Sequence, residues 1–138
     1  MEFTRQEIDA VYPQVADVIA DALGCEVSDV TPSASLIEDL DAESIDFLDL
    51  VFRLERAFKV KIPRGKIVED ARGDLSEAEF EQKGIVTEAG LARLRQFLAE
   101  VPAERFKTPL KAVDIPRLFT PETFAKVVLR AQKNAPAA

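Results

Sequence analysis

Apolar residues recur at helical spacing in four stretches of this chain, and the strict alternation that a strand needs is almost absent. The first stretch is Ile8, Val11, Val15, Val18, Ile19, Ala22 and Leu23. Thr4 followed by Glu7 has the form of a capping box, and Gly24 supplies a stop. Pro13 lies inside the pattern and predicts a kink or a restart there. Residues 25–42 read as a long loop with Thr31-Pro32-Ser33 as its turn chemistry. The second helix is predicted from Glu43 or Ser44 to about Phe58. Its core stripe is Phe47, Leu50, Val51, Leu54 and Phe58, and its polar stripe is Asp46, Asp49, Arg53 and Arg56. Asp49 and Arg53 are a favourably oriented i, i+4 pair, worth about 0.2–0.5 kcal/mol. Lys61-Ile62-Pro63 ends the element, since the residue before proline avoids helix.

Residues 64–75, with two glycines, predict a short helix or loop, and Ser76 with Glu79 suggests another cap. A third clear helix covers residues 87–99 through Leu91, Leu94, Phe97 and Leu98. Residues 100–119 hold three prolines and read as an irregular connection. Thr120-Pro121-Glu122 starts the last helix, with threonine as cap and proline at the first position. That helix places Phe124, Val127, Val128 and Ala131 on one side. The tail at 135–138 is expected to fray.

Composition narrows the chemistry. A chain of 138 residues suits one domain, or one small domain plus an elaboration, with a core of its own. The single cysteine, Cys25, excludes an internal disulfide and any multi-cysteine zinc site. There is no histidine, which removes histidine acid–base catalysis, histidine-assisted triads and histidine metal ligands. No apolar run approaches the ~20 residues of a membrane span, and the N-terminus has no signal-peptide pattern. A soluble, cytoplasmic protein is therefore expected. Charge is unevenly placed: residues 6–52 contain no Lys or Arg but twelve acids, whereas residues 53–138 hold 17 bases and 12 acids. Net acidity argues against nucleic acid, which needs clustered base. An acidic half attracts basic partner surfaces; ordinary solubility, with the basic half folded back to neutralise the acidic one, is the competing reading.

Few residues could carry chemistry. Ser44 is not in a G-x-S-x-G elbow and has no histidine base. Glu38, Asp39, Asp41 and Glu43 lack the spacing of a calcium loop and read as a solvated acidic rim, so no metal is expected. Cys25 reads as a small filler. No nucleophile–base pair can be assembled, so neither catalytic residues nor an enzyme are expected. One serine stands at a helix start inside an acidic, apolar-flanked segment, Leu36-Ile37-Glu38-Asp39-Leu40-Asp41-Ala42-Glu43-Ser44-Ile45-Asp46. Its hydroxyl is expected to be exposed. A phosphodiester built on it would sit by free backbone N–H groups and the positive helix end. Simple N-capping by Ser44 is the competing reading.

Residues 11–63 resemble an acyl carrier protein. The likeness is carried by Ala22-Leu23-Gly24, Val30-Thr31, Ala34-Ser35-Leu36, Glu38-Asp39-Leu40 and Glu43-Ser44-Ile45-Asp46. It continues through Leu50-Val51, Leu54-Glu55 and Phe58 to Ile62-Pro63. Glu-Ser-Ile is a conservative variant of the family's Asp-Ser-Leu, and no gap is needed over these residues. Residues 119–128 look like the counterpart of the family's last helix.

The resemblance implies an all-α, four-helix acyl-carrier-like bundle with an additional helical insertion before the last helix. Residues 1–138 would form a single acyl-carrier-like domain, with a carrier core at 4–63 and 119–133 and the insertion at about 64–118. Ser44 would be the attachment site of 4′-phosphopantetheine, added from coenzyme A by a phosphopantetheinyl transferase, whose thiol holds an acyl group as a thioester. Glu43, Asp46 and Asp49 match positions that meet basic docking patches on acyl-loading, chain-modifying or acyltransferase enzymes of fatty acid or specialised lipid biosynthesis. Ile45 and Phe52 fall where the family exposes apolar contacts. Phe47, Leu48 and Val51 could line an acyl pocket, with plain core as the competing reading for Phe47 and Val51. A monomer is expected. The sequence departs from the family at Asp41, where a glycine is usual, at the bases Arg53, Arg56 and Lys59, and in the insertion, which brings much of the positive charge. Two other readings stand beside this one: an aminoacyl or polyketide carrier, and an acidic helical adaptor that never receives the arm.

Overall fold

Capping chemistry decides where the first helix lies. In a computed structural model, α1 spans Arg5–Leu23. Thr4 Oγ1 accepts from the Glu7 N–H at 3.1 Å, and Glu7 Oε1 accepts from the Thr4 N–H at 3.0 Å. That second bond holds the Glu7 carboxyl below the usual carboxylate range. Gly24 ends the helix in the left-handed region at φ 69°, the conformation that glycine adopts without a Cβ clash. Pro13 sits inside α1, which is one element across it rather than two. The structure describes residues 3–62, 66–106 and 108–134, without the side chains of Ser44, residues 66–68, Ala103 and Asn134. The expected proline stop at Pro63 and the expected fraying at 135–138 lie outside the described residues.

Among the described residues the remaining elements are helical apart from one small hairpin. A 3-10 turn, Val27–Asp29, interrupts the long loop. Then follow α2 Ser44–Phe58, α3 Lys66–Arg72, α4 Glu77–Phe80, β1 Glu81–Gln82, β2 Ile85–Val86 and α5 Glu88–Phe97. Two further 3-10 stretches, Ala103–Arg105 and Ala112–Leu118, precede α6 Pro121–Asn134. The chain divides into two compact units, Met1–Ile62 with Thr120–Ala138, and Pro63–Phe119.

In the first unit α1 packs against α2 and α6. Ile8, Val15 and Ile19 of α1, Leu50 and Leu54 of α2, and Phe124 and Val128 of α6 are almost wholly buried. Arg5 bridges α1 and α6, its Nη1 lying 2.7 Å from Glu122 Oε1. The first turn of α6 is closed by Thr120 Oγ1, which accepts from the Thr123 N–H at 3.2 Å. The Tyr12 hydroxyl donates to the Val30 carbonyl at 3.0 Å and ties the loop to α1. The α6 residues 121–129 are all buried, a wider face than the apolar pattern predicts.

In the second unit α5 packs against α3 and α4. The unit holds ten bases and ten acids, so the net positive charge beyond residue 52 comes from 53–62 and 120–138 instead. The hairpin had no signal in the hydrophobic pattern. Its strands are two residues each, too short to alternate, and its turn is Lys83-Gly84 with both residues at positive φ. Val86 N–H donates to the Leu110 carbonyl at 2.8 Å and Ala112 N–H to the Gly84 carbonyl at 2.9 Å, so the irregular segment flanks the hairpin. Gly90 of α5 lies directly on this corner. A Cβ there would collide with the Phe80 carbonyl oxygen and meet Val86 Cγ1 at 3.0 Å. Gly90→Ala is therefore expected to destabilise the protein by about 1–3 kcal/mol despite alanine's better helix propensity. Chemical denaturation of the two proteins checks this, and an unchanged midpoint would refute the close packing.

Candidate functional site

The segment before α2 is fixed by its own short polar residues. Ser35 N–H donates to Asp39 Oδ2 at 2.8 Å, and Ser35 Oγ accepts from the Glu38 N–H at 3.1 Å. Ala42 N–H then donates to the Leu36 carbonyl at 2.8 Å. Ala34, Leu36 and Ala42 are buried beneath this turn, while Glu38, Asp39 and Asp41 stay exposed. Asp41 has φ 58°, a left-handed position occupied here by aspartate, one of the side chains that tolerate it best.

Glu43 is the N-cap of α2, and its N–H donates to Asp46 Oδ2 at 2.8 Å. Ser44 is thus the first helical residue and not the cap. The capping role weighed for Ser44 falls to its neighbours Glu43 and Asp46. The expected exposure of the Ser44 hydroxyl lies outside the described side chains. Ser44 stands in the first turn, whose early N–H groups have no intrahelical acceptor and whose dipole end is positive.

The faces of α2 divide sharply. Leu50 and Leu54 point into the core. Phe47 and Val51 are half-buried, and the Phe47 ring stacks on Phe124 of α6 at 5.8 Å between centroids. Ile45 and Phe52 are 70% and 51% exposed, and Leu48 shares their side at 36%. The structure therefore brings Phe47 and Val51 together on the inner side and sets Leu48 with Ile45 and Phe52 on the outer one. The expected grouping of Leu48 with Phe47 and Val51 around an acyl pocket is therefore not what the structure shows: Leu48 stands about 100° around the helix from Phe47 and turns to solvent. Glu43 and Asp49 are exposed and Asp46 half-exposed; Asp49 Oδ2 lies 2.8 Å from Arg53 Nε, as the spacing predicts.

Cys25 is half-buried just after α1. Burial, reinforced by Asp29, pushes its thiol up from the ordinary value. Among the described residues no three His, Cys, Asp or Glu side chains gather to hold a metal ion, and no helix is long and apolar enough to cross a membrane.

Comparison with known proteins gives this segment a context. The family model for the phosphopantetheine attachment site matches residues 13–72. The chain is 36% identical over 72 residues to acyl carrier protein AcpXL of Rhizobium etli, an alignment covering 51% of this chain and 78% of that protein. It is 42% identical over 55 residues to an acyl carrier protein of Rubrobacter xylanophilus, covering 40% of this chain and 68% of that one. With AcpXL of Brucella melitensis the identity is 39% over 56 residues, 41% of this chain and 60% of the relative.

Proposed function

This chain belongs to the acyl carrier protein family, whose cofactor is 4′-phosphopantetheine, and from that premise we propose that it carries acyl groups as thioesters on such an arm attached at Ser44. The carrying observation is the local architecture at the start of α2. Glu43 and Asp46 close the helix end, which leaves Ser44 with no structural duty as cap, on the first turn of a helix inside the matched segment.

The residues present suit a covalently attached phosphate. Orphan N–H groups and the positive dipole end favour a phosphodiester at this position. The exposed carboxylates of Asp41 and Glu43 nearby repel a free phosphate, so attachment has to come from a bond to the serine oxygen and not from affinity. When bound, the arm supplies the thiol that holds the acyl group. The protein supplies position and recognition: α2, which Ser44 begins, is anchored by Leu50 and Leu54 and exposes Ile45, Leu48 and Phe52. The carrier core comprises residues 4–63 and 119–133, and residues 64–118 are an addition to it. The partners are a phosphopantetheinyl transferase and acyl-handling enzymes of fatty acid or specialised lipid biosynthesis, which dock basic groups on Glu43, Asp46 and Asp49. The chain acts as carrier and leaves catalysis to them.

Incubating the protein with coenzyme A and a broad-specificity phosphopantetheinyl transferase tests this. Intact mass is expected to rise by one phosphopantetheine, and fragmentation is expected to place it on Ser44. An unchanged mass with this transferase and with the native one would return the chain to the adaptor reading.

A further inference from the structure

The outer face of α2 changes sign along its length. Ile45, Phe52 and Arg56 fall within about 40° of one another around the helix axis, with Asp49 and Leu48 on either side. Toward the N-terminus the charged groups are Glu43, Asp46 and Asp49. Residues 50–62 carry four bases, Arg53, Arg56, Lys59 and Lys61, against a single acid, Glu55. Glu55 is taken up locally: its Oε2 accepts from the Ile62 N–H at 2.6 Å. Arg53 is taken up by Asp49. Arg56 and Lys59 are exposed, and among the described residues no carboxylate pairs with them. Lys59 is also the left-handed cap residue at φ 55°, which fixes the chain direction at the basic end. Between the two ends lies the apolar strip of Ile45, Leu48 and Phe52, exposed large side chains of the kind that marks a protein contact. Arg56 lies about 16 Å along the axis from Ile45, within the span of one docking face.

We infer that the partner protein docking on α2 is itself charge-segregated: basic where it meets Glu43 and Asp46, apolar over Ile45, Leu48 and Phe52, and acidic where it meets Arg56 and Lys59. This deepens the carrier reading and rests on it for the partner's identity as an acyl-handling enzyme. A wholly basic partner face would set like charges against Arg56 and Lys59, and such mismatches reject wrong partners. A second copy in antiparallel register would also complement the signs. However, a net charge of −7 on each copy opposes self-association.

The test uses two helical peptides of equal length with one leucine face in common. One carries lysines at one end and glutamates at the other; the second carries lysines throughout. Each is titrated into the unloaded, isotope-labelled protein, and amide shifts along 45–59 are followed at physiological ionic strength, where the long-range pull of the net charge is screened. The mixed peptide is expected to bind about fivefold more tightly than the all-lysine one. The double variant R56E/K59E is expected to reverse that preference. A preference of the wild type for the all-lysine peptide, binding of neither, an unaltered preference in R56E/K59E, or concentration-dependent self-association through these residues would each overturn the inference. Because the unloaded protein is used, this result is independent of whether Ser44 accepts the arm, so the two failures are told apart.

Discussion

Ser44→Ala is expected to abolish phosphopantetheine loading completely while leaving the fold intact. The hydroxyl oxygen is the proposed point of attachment, and alanine offers no nucleophile. The second half of the expectation comes from the cap geometry. A serine that caps a helix contributes about 1 kcal/mol through its side chain. Here the N-cap is Glu43, with the Asp46 carboxylate accepting its N–H, so the cap survives the substitution. Alanine is also the best helix former for the position it would enter. Intact mass after transferase treatment and thermal unfolding of the same sample separate the two effects. A variant that still gained the arm would move the attachment site elsewhere. A variant that lost loading together with a large share of its stability would show that Ser44 has a structural role the cap geometry does not give it.

Leu54→Ala is expected to have the largest effect on stability. Leu54 is fully buried on the inner face of α2, one helical turn from Leu50, where α2 meets α1. Removing a buried leucine side chain loses its transfer free energy and leaves a cavity that the neighbours fill only in part, a cost of about 2–5 kcal/mol. Phe52→Ala, two residues away but half exposed, is expected to cost far less, since exposed positions change stability by about 0.5 kcal/mol or less. Urea unfolding of the two variants is the comparison. Equal losses would mean that the inner and outer faces of α2 had been assigned wrongly.

The elements that were legible in the sequence are those whose ends carry their own chemistry. Thr4 with Glu7, Ser76 with Glu79, Thr87 and Thr120 each start a helix where their short oxygen-bearing side chains accept backbone N–H groups. Gly24 ends one. The stripe of α2 gave its length and the buried Leu50 and Leu54, while Phe47, Val51 and Phe58 of the same stripe are only half-buried at its edges. Illegible were the places where a residue adopts a conformation that its type does not announce. Lys83 turns the hairpin at φ 54°, Lys59 ends α2 at φ 55°, and Asp41 precedes it at φ 58°. Pro13 left a kink or a restart open, and the structure removes the restart: the proline costs one helical hydrogen bond, but the buried side chains of Ile8, Val15 and Ile19 on both sides of it keep α1 as one element. At the site, the acidic segment and the position of Ser44 were readable. The transfer of capping from Ser44 to Glu43 was not, since glutamate is not among the favoured cap residues.

The environment of Cys25 turns loading into something a thiol reagent can count. The unloaded chain has one sulfhydryl and the loaded chain two, the second at the end of the arm. The two differ in reactivity, because the half-buried Cys25 has its ionisation pushed up by burial and by Asp29, and so holds less thiolate at any given pH. A maleimide applied briefly at neutral pH is expected to label the arm first and the protein's own cysteine later. Fluorophores, cross-linkers and affinity handles can then be placed on the arm without mutating Cys25.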